Sequence, residues 1–370
     1  MDKPGHIELS LVLVLGCHSH RDEGREEAGA CLEPTLTQST PLGINPREIA
    51  AGDLDGDGDI DLLATLGGES TFVTLRNDGA GRFEPWDTYP ANYVASGIGA
   101  GDFDSDGDAD VLVAVVGGIP EILRYRNDGY GAMGEPEDIA VDDPYGMPSE
   151  QVLVADLNGD DAVDVVAASA YSRSISVRLQ EAGVLARPAF FDFDYTQDLE
   201  LGDFNADGVP DLIGVLNEDV NLMLGDGTGG FGPVTRWETG FLALGLAVGD
   251  FGGDGNLDAA VGGTGALAVL WGDGEGFGVP IRLGVAGGRL EAADLDGDGI
   301  DDIVATEFEG HTTRVILGSE SGFMTPWEVE AGAFTVGIAL AQLDGEGGLD
   351  IATVDNSDGV LRVYLSACAP

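Results

Sequence analysis

The chain has 370 residues, 43% of them hydrophobic, with 59 glycines and a formal net charge of −51. That length and apolar content allow a substantial core and exclude a wholly disordered chain. The 67 acidic side chains against 16 basic ones exclude nucleic acid and anionic membrane surfaces, which need Lys and Arg to neutralise phosphate, and favour metal cations as partners.

In chain order, Lys3 precedes an apolar run from Leu9 to Gly16. The run is too short to span a bilayer but suits the core of a signal peptide. It ends in VLGC, residues 14–17, which resembles a bacterial lipobox. That pattern predicts a signal peptide over 1–16 and lipidation of Cys17, with ordinary secretion or a cytosolic protein as alternatives. Residues 17–33 then read as a polar tether. The other two cysteines, Cys31 and Cys368, lie at opposite ends of the chain, and none has zinc-type spacing.

From residue 34 onward the chain repeats itself. The stretch GDLDGDGDID (52–61) returns as GDFDSDGDAD (101–110), ADLNGDDAVD (155–164), GDFNADGVPD (202–211), GDFGGDGNLD (249–258), ADLDGDGIDD (293–302) and AQLDGEGGLD (341–350). Each copy follows an alternating apolar segment such as REIAAGD and precedes a β-branched run such as DLLAT or DVLVAVV. A third strand follows, as in TFVTLRN or EILRYRN, and an Asn-Gly or Asp-Gly type turn leads to a fourth. Four short antiparallel strands repeated seven times predict an all-β, seven-bladed β-propeller over 34–370.

These loops and turns, recurring in register over residues 34–366, resemble the FG-GAP/VCBS repeats of integrin α-chains and many bacterial surface proteins. The resemblance implies calcium in the loops. Elementary chemistry agrees. Counting from the first aspartate, oxygens at positions one, three, five and nine, with the carbonyl of position seven, suit a hard cation of flexible geometry, and glycine at six permits the sharp turn. No loop contains histidine or cysteine, which disfavours zinc and copper. An EF-hand is excluded, because its twelfth position needs a glutamate and here holds Ala64, Val113 or Ala305.

The predicted ligands in the first loop are Asp53, Asp55, Asp57 and Asp61, with Asp59 at the carbonyl position. In the second they are Asp102, Asp104, Asp106 and Asp110, with Asp108 at the carbonyl position. The third has Asp156, Asn158, Asp160 and Asp164, with Asp161 in place of glycine; the fourth has Asp203, Asn205, Asp207 and Asp211. The fifth loses one ligand to Gly252 and keeps Asp250, Asp254 and Asp258; the sixth is complete, with Asp294, Asp296, Asp298 and Asp302. The seventh begins with Gln342 and has Glu346 at position five, so four to six calcium ions are expected and the seventh loop is the one most at risk of being empty.

The chain stops soon after VLRVYLS (360–366), a third strand, while PTLTQSTPLG (34–43) has no blade of its own. The N-terminal segment is therefore expected to supply the fourth strand of blade seven. Antiparallel pairing there would bring Cys31 beside Cys368 and allow a disulfide in an oxidising compartment, the alternative being two free thiols.

The connections on the face away from the loops include Asn92, Tyr93, Tyr145, Tyr171, Arg173, Phe193, Tyr195, Phe241, Phe308 and His311. Aromatic and polar groups there suit a protein or carbohydrate ligand, or else plug the channel and pack between blades. No catalytic residue is assigned: His311 is the only histidine of the repeats and no G-x-S-x-G occurs. The expectation is a calcium-stabilised binding or adhesion module of the cell envelope, held to a membrane only through a lipid anchor. The alternatives are an envelope scaffold, or a polysaccharide lyase or hydrolase.

Overall fold

The computed structural model describes residues 31–117, 122–139, 151–168, 173–193, 197–307, 311–319 and 321–368, with Cys31, Leu32, Ala367 and Cys368 described for the backbone alone. The expectations for the leader, for Cys17, and for Tyr145, Tyr171, Tyr195 and Phe308 lie outside the described residues.

The hairpin signals form seven four-stranded antiparallel sheets. In blade one the strands are Pro46–Gly52, Asp61–Leu66, Thr71–Asn77 and Phe83–Pro90, paired in sequence order. The next five blades repeat this plan, with first strands at Val94–Gly101, Gln151–Ala155, Asp198–Gly202, Ala243–Gly249 and Leu290–Ala293. Blade seven contains Thr335–Ala341, Asp350–Asp355 and Val360–Cys368, and its fourth strand is Cys31–Pro41 from the other end of the chain. The first strands of successive blades pack side by side, and those of blades seven and one close the ring.

The apolar residues lie between blades rather than at the centre. Seven buried clusters fill the interfaces, and one joins Leu62, Ala64 and Val73 of blade one to Ala352, Val354 and Val363 of blade seven. This explains the uninterrupted apolar runs after each loop. Every residue of Asp61–Leu66 is buried, because a second strand has a neighbouring blade on both faces and needs no polar alternation. The fourth strand, Phe83–Pro90, is mostly exposed or half-buried. Burying one leucine is worth about 1.5–3 kcal/mol, so the interfaces dominate stability.

The turn between third and fourth strands requires its glycine. Gly79 has φ 74°, and a Cβ there would sit 2.5 Å from a carboxylate oxygen of Asp59. The Asn-Asp-Gly sequence thus closes the hairpin and presses against the aspartate loop of the same blade.

Candidate metal loops and channel site

All the aspartate loops connect first to second strands, so they share one end of the ring with the third-to-fourth turns. In each of the first six, the position-one carboxylate folds the loop over itself. Asp53 accepts hydrogen bonds from the N–H groups of Gly56 (2.8 Å) and Gly58 (3.1 Å). Asp294 does the same for Gly297 and Gly299 at 2.8 and 2.9 Å. Position six is left-handed: Gly58 has φ 92°, and Asp161, which replaces glycine in the third loop, has φ 65°. Aspartate tolerates that region better than most side chains, so the substitution keeps the loop shape.

Carboxylate oxygens converge in three loops: Asp53, Asp55 and Asp57; Asp102, Asp104 and Asp106; and Asp294, Asp296 and Asp302, each set within 4.8 Å. These all-oxygen sets fit a hard divalent cation. A second observation supports the fit: Asp104 Oδ1 and Asp110 Oδ2 in the second loop are buried with no hydrogen-bond partner. A buried acceptor in that condition is costly unless something satisfies it.

Position nine does more than close an ion site. Asp61 accepts from Leu54 N–H (3.2 Å) and Asn77 N–H (2.8 Å), using one oxygen for each. Asp164, Asp211, Asp258, Asp302 and Asp350 repeat this pair of contacts. The residue thereby ties the start of the loop to the end of the third strand. Burial raises its carboxyl pKa in every blade, to about 6 in Asp110, Asp164, Asp211 and Asp350, about 7 in Asp61 and Asp258, and about 8 in Asp302. Removal of the charged form from water is the main cause, and loop aspartates nearby add to it. The asparagine after the third strand's arginine, whose N–H bonds that aspartate, also stitches neighbouring blades: Asn127 Nδ2 donates to Leu54 O (2.7 Å), and Asn77 Nδ2 to Leu343 O (2.8 Å).

The remaining loops are internally compensated. Asn158 and Asn205 donate their amide groups to Asp160 (3.1 Å) and Asp207 (2.9 Å). In the fifth loop Trp271 covers Gly252, with a ring carbon 3.5 Å from where a Cβ would lie, and Asn256 Nδ2 donates to Asp254 (3.0 Å). In the seventh, Gln342 Nε2 donates to the carbonyl oxygens of Glu346, Gly347 and Gly348 at 3.2, 3.3 and 2.9 Å. An amide nitrogen takes the part that a cation would otherwise play. Asp59 and Asp108 direct their side chains at the hairpin glycines Gly79 and Gly129, away from the converging oxygens.

At the opposite end, the starts of the first strands enclose a cavity of about 100 Å³ lined by Glu48, Gln151, Asp198, Glu200, Arg289 and Glu291 among others. Arg289 of blade six spans it, 2.5 Å from Glu48 Oε2 of blade one and 3.0 Å from Asp198 Oδ1 of blade four, with Nε donating to Val336 O (3.1 Å). Gln151 Nε2 donates to Asp198 (2.7 Å). Burial raises the pKa of Glu48, and that of Glu200 well above the carboxylate range, where Glu291 is its most influential charged neighbour. Nothing in the spacing of these residues announced the cluster; four blades contribute to it from positions far apart in the chain.

Tyr93, Arg173 and His311 sit in the connections at this same end, and His311 has φ 55°. Tyr93 is half-buried against the interface of blades one and two, whereas Arg173 and His311 are exposed. Phe193 and Phe241, by contrast, are buried in the interfaces of blades three with four and four with five, so they pack blades together rather than present a ligand surface.

Three stretches, residues 53–113, 203–261 and 294–353, match the FG-GAP-like repeat family. Each begins at the first aspartate of a loop and runs through the next loop, so the chain carries FG-GAP-like repeats on a seven-bladed propeller. No curated protein matches the chain. Among solved structures, an Agrocybe aegerita lectin specific for non-reducing terminal N-acetylglucosamine is similar, with a TM-score of 0.61, 20% identity, and coverage of 78% of this chain and 81% of the lectin. BBS1N, solved in complex with ARL6DN, is similar at TM-score 0.65 and 12% identity, covering 90% of this chain and 96% of BBS1N.

Proposed function

We propose that the chain is a calcium-stabilised binding module of the cell envelope, which recognises a protein or carbohydrate ligand at the end of the ring opposite the aspartate loops. The observation that carries this reading is the channel-end cavity, with Glu48, Gln151, Asp198, Glu200, Arg289 and Glu291 around it. Its surplus of acceptor oxygens suits hydroxyl-bearing or cationic groups, and Arg289 holds the blades that present them. The division of ends also supports it: one end is committed to loops that fit a hard cation, which leaves the other for recognition. Propellers of this fold serve a sugar-specific lectin and a protein complex, which is compatible with either ligand class. Calcium is the cation best suited to the loops, and the apolar leader ending in Cys17 supports export with a lipid anchor.

The test is a glycan and protein array probed with the exported chain in calcium and in EDTA, alongside Glu291→Gln. Calcium-dependent retention that Glu291→Gln weakens is the expected result; retention indifferent to both would overturn the reading. One observation favours a hydrolytic alternative. Burial, and then the charge of Glu291, raise the carboxyl pKa of Glu200, the direction of shift found for the general acid in glycoside hydrolysis. Cleaved glycans on the same array would establish it, and a silent array would favour a scaffold role.

A further inference from the structure

The first two loops carry a cation of their own. Arg76, the last third-strand residue before Asn77, places its guanidinium 2.6 Å from Asp55 Oδ2 and 3.1 Å from Asp57 Oδ2. Arg126 stands at the same place in blade two and pairs with Asp104 Oδ2, while its Nε holds Glu137 at 2.7 Å. The place is defined by the next residue, whose N–H bonds the position-nine aspartate. By that definition the other five blades have Leu179, Leu224, Trp271, Leu317 and Leu365. Arginine therefore overhangs only the two N-terminal loops.

The carboxylates that Arg76 and Arg126 engage, Asp55 and Asp57 in the first loop and Asp104 in the second, belong to the sets that converge with Asp53 and Asp102. A carboxylate that turns one oxygen to a guanidinium has less charge and one oxygen fewer to offer a hard cation. Both arginines also have somewhere to go. Arg76 is half exposed, at 51%, and lies over the Trp86 ring, 5.4 Å from its centre; Arg126 already shares Glu137 with Arg124.

We infer that Arg76 and Arg126 are tethered counter-cations that compete with calcium for the first two loops. They neutralise these loops when calcium is scarce and yield the carboxylates when it is abundant, so blades one and two tolerate calcium loss and fill at higher calcium than they otherwise would. The inference rests on the reading that the loops take calcium.

The experiment is calcium titration by calorimetry, with thermal unfolding in EDTA, on the full chain and on Arg76→Leu, Arg126→Leu and the double variant. Leucine is what four of the other five blades carry there, so the third strand keeps a compatible residue. Because an exposed ion pair is worth little, each substitution should tighten calcium binding at its own loop by about two- to fivefold. In EDTA the same substitution should lower the unfolding temperature by roughly 1–2 °C. Opposite signs in the two readouts identify a competitor; a merely structural arginine would weaken both. Arg76→Gln, which keeps a polar head without the charge, should behave like Arg76→Leu and guards against a leucine variant that does not fold. Unchanged or weaker calcium binding in folded variants overturns the inference alone. A wild-type chain that binds no calcium overturns the calcium reading, and this inference with it.

Discussion

Blade one and blade seven use the same corner for different ends. In both, a buried aspartate at position nine, Asp61 or Asp350, accepts the N–H of the second loop residue and the N–H at the end of the third strand. Only blade one adds converging carboxylates at positions one, three and five; blade seven has Gln342, whose amide binds the loop carbonyls directly. Shape and ion binding are therefore separable properties of one loop. In blade one the aspartate at nine holds the corner, and the aspartates at one, three and five gather the oxygens that fit a cation. The blades also differ in connectivity. Blade one is continuous in sequence, whereas blade seven unites both ends of the chain.

The largest effect should come from the corner itself. Asp350→Ala strips the acceptor from two buried amides, Leu343 N–H and Ser366 N–H. At about 1–3 kcal/mol for each unsatisfied group, the loss is roughly 2–6 kcal/mol. Denaturant unfolding should return the same loss with and without calcium. Asp61→Ala should cost a similar amount in EDTA and more in calcium. A neutral Asp350→Ala would break the division between corner and ion site.

Next is the closure. The register sets Cys31 opposite Cys368, and a disulfide there would stabilise the ring by about 4 kcal/mol or more in the chain-entropy model, since nearly the whole chain is enclosed. Reductant, or Cys31→Ser, should therefore lower the unfolding temperature clearly, and blade seven should lose hydrogen-exchange protection before blade one. Two alkylatable thiols in the native, oxidised protein would eliminate the clasp.

A single ion is worth less. At a hundredfold excess over its dissociation constant, calcium adds about 2.7 kcal/mol per occupied loop. Chelation should lower the unfolding temperature strongly because several loops contribute. Asp53→Asn should remove about one loop's share, and Asp344→Asn in blade seven should remove none. Equal losses from the two substitutions would mean that Gln342 does not replace the ion.

Most of the fold was legible because it is periodic. Aspartate-rich loops at fixed spacing and doubly buried apolar runs after them recur seven times, Asp-Gly hairpins follow in four of the blades, and the missing fourth strand of the last blade pointed to residues 34–43 for closure. The weak seventh loop was visible in Gln342 and Glu346. The structural task of position nine was not, since a carboxylate that binds a metal and one that binds backbone amides look alike in sequence. The Arg289 strap was also hidden. Glu48, Asp198 and Arg289 meet only because the ring brings the starts of distant first strands together, and no local pattern encodes that meeting. Phe193 and Phe241 looked like surface aromatics because loops usually face water, yet both fill blade interfaces.

The smallest effect is a pH slope, and blade seven is the place to read it because its corner aspartate lies in a loop closed by Gln342. Burial raises the carboxyl pKa of Asp350 from 3.8 to about 6. The folded chain therefore keeps a proton that the unfolded chain has already released between about pH 4 and pH 6. Stability from this group is present in full below about pH 4 and is lost as pH rises through 6, with a slope of about 1.4 kcal/mol per pH unit for one proton. Asp350→Asn removes that titration. In EDTA, the variant's unfolding free energy should fall less steeply than the wild type's across that window and run parallel to it above pH 7. Added calcium should leave this difference in place, because the blade-seven corner is held by hydrogen bonds alone. A difference that calcium abolishes would put an ion in the seventh loop and make blade seven the equal of blade one.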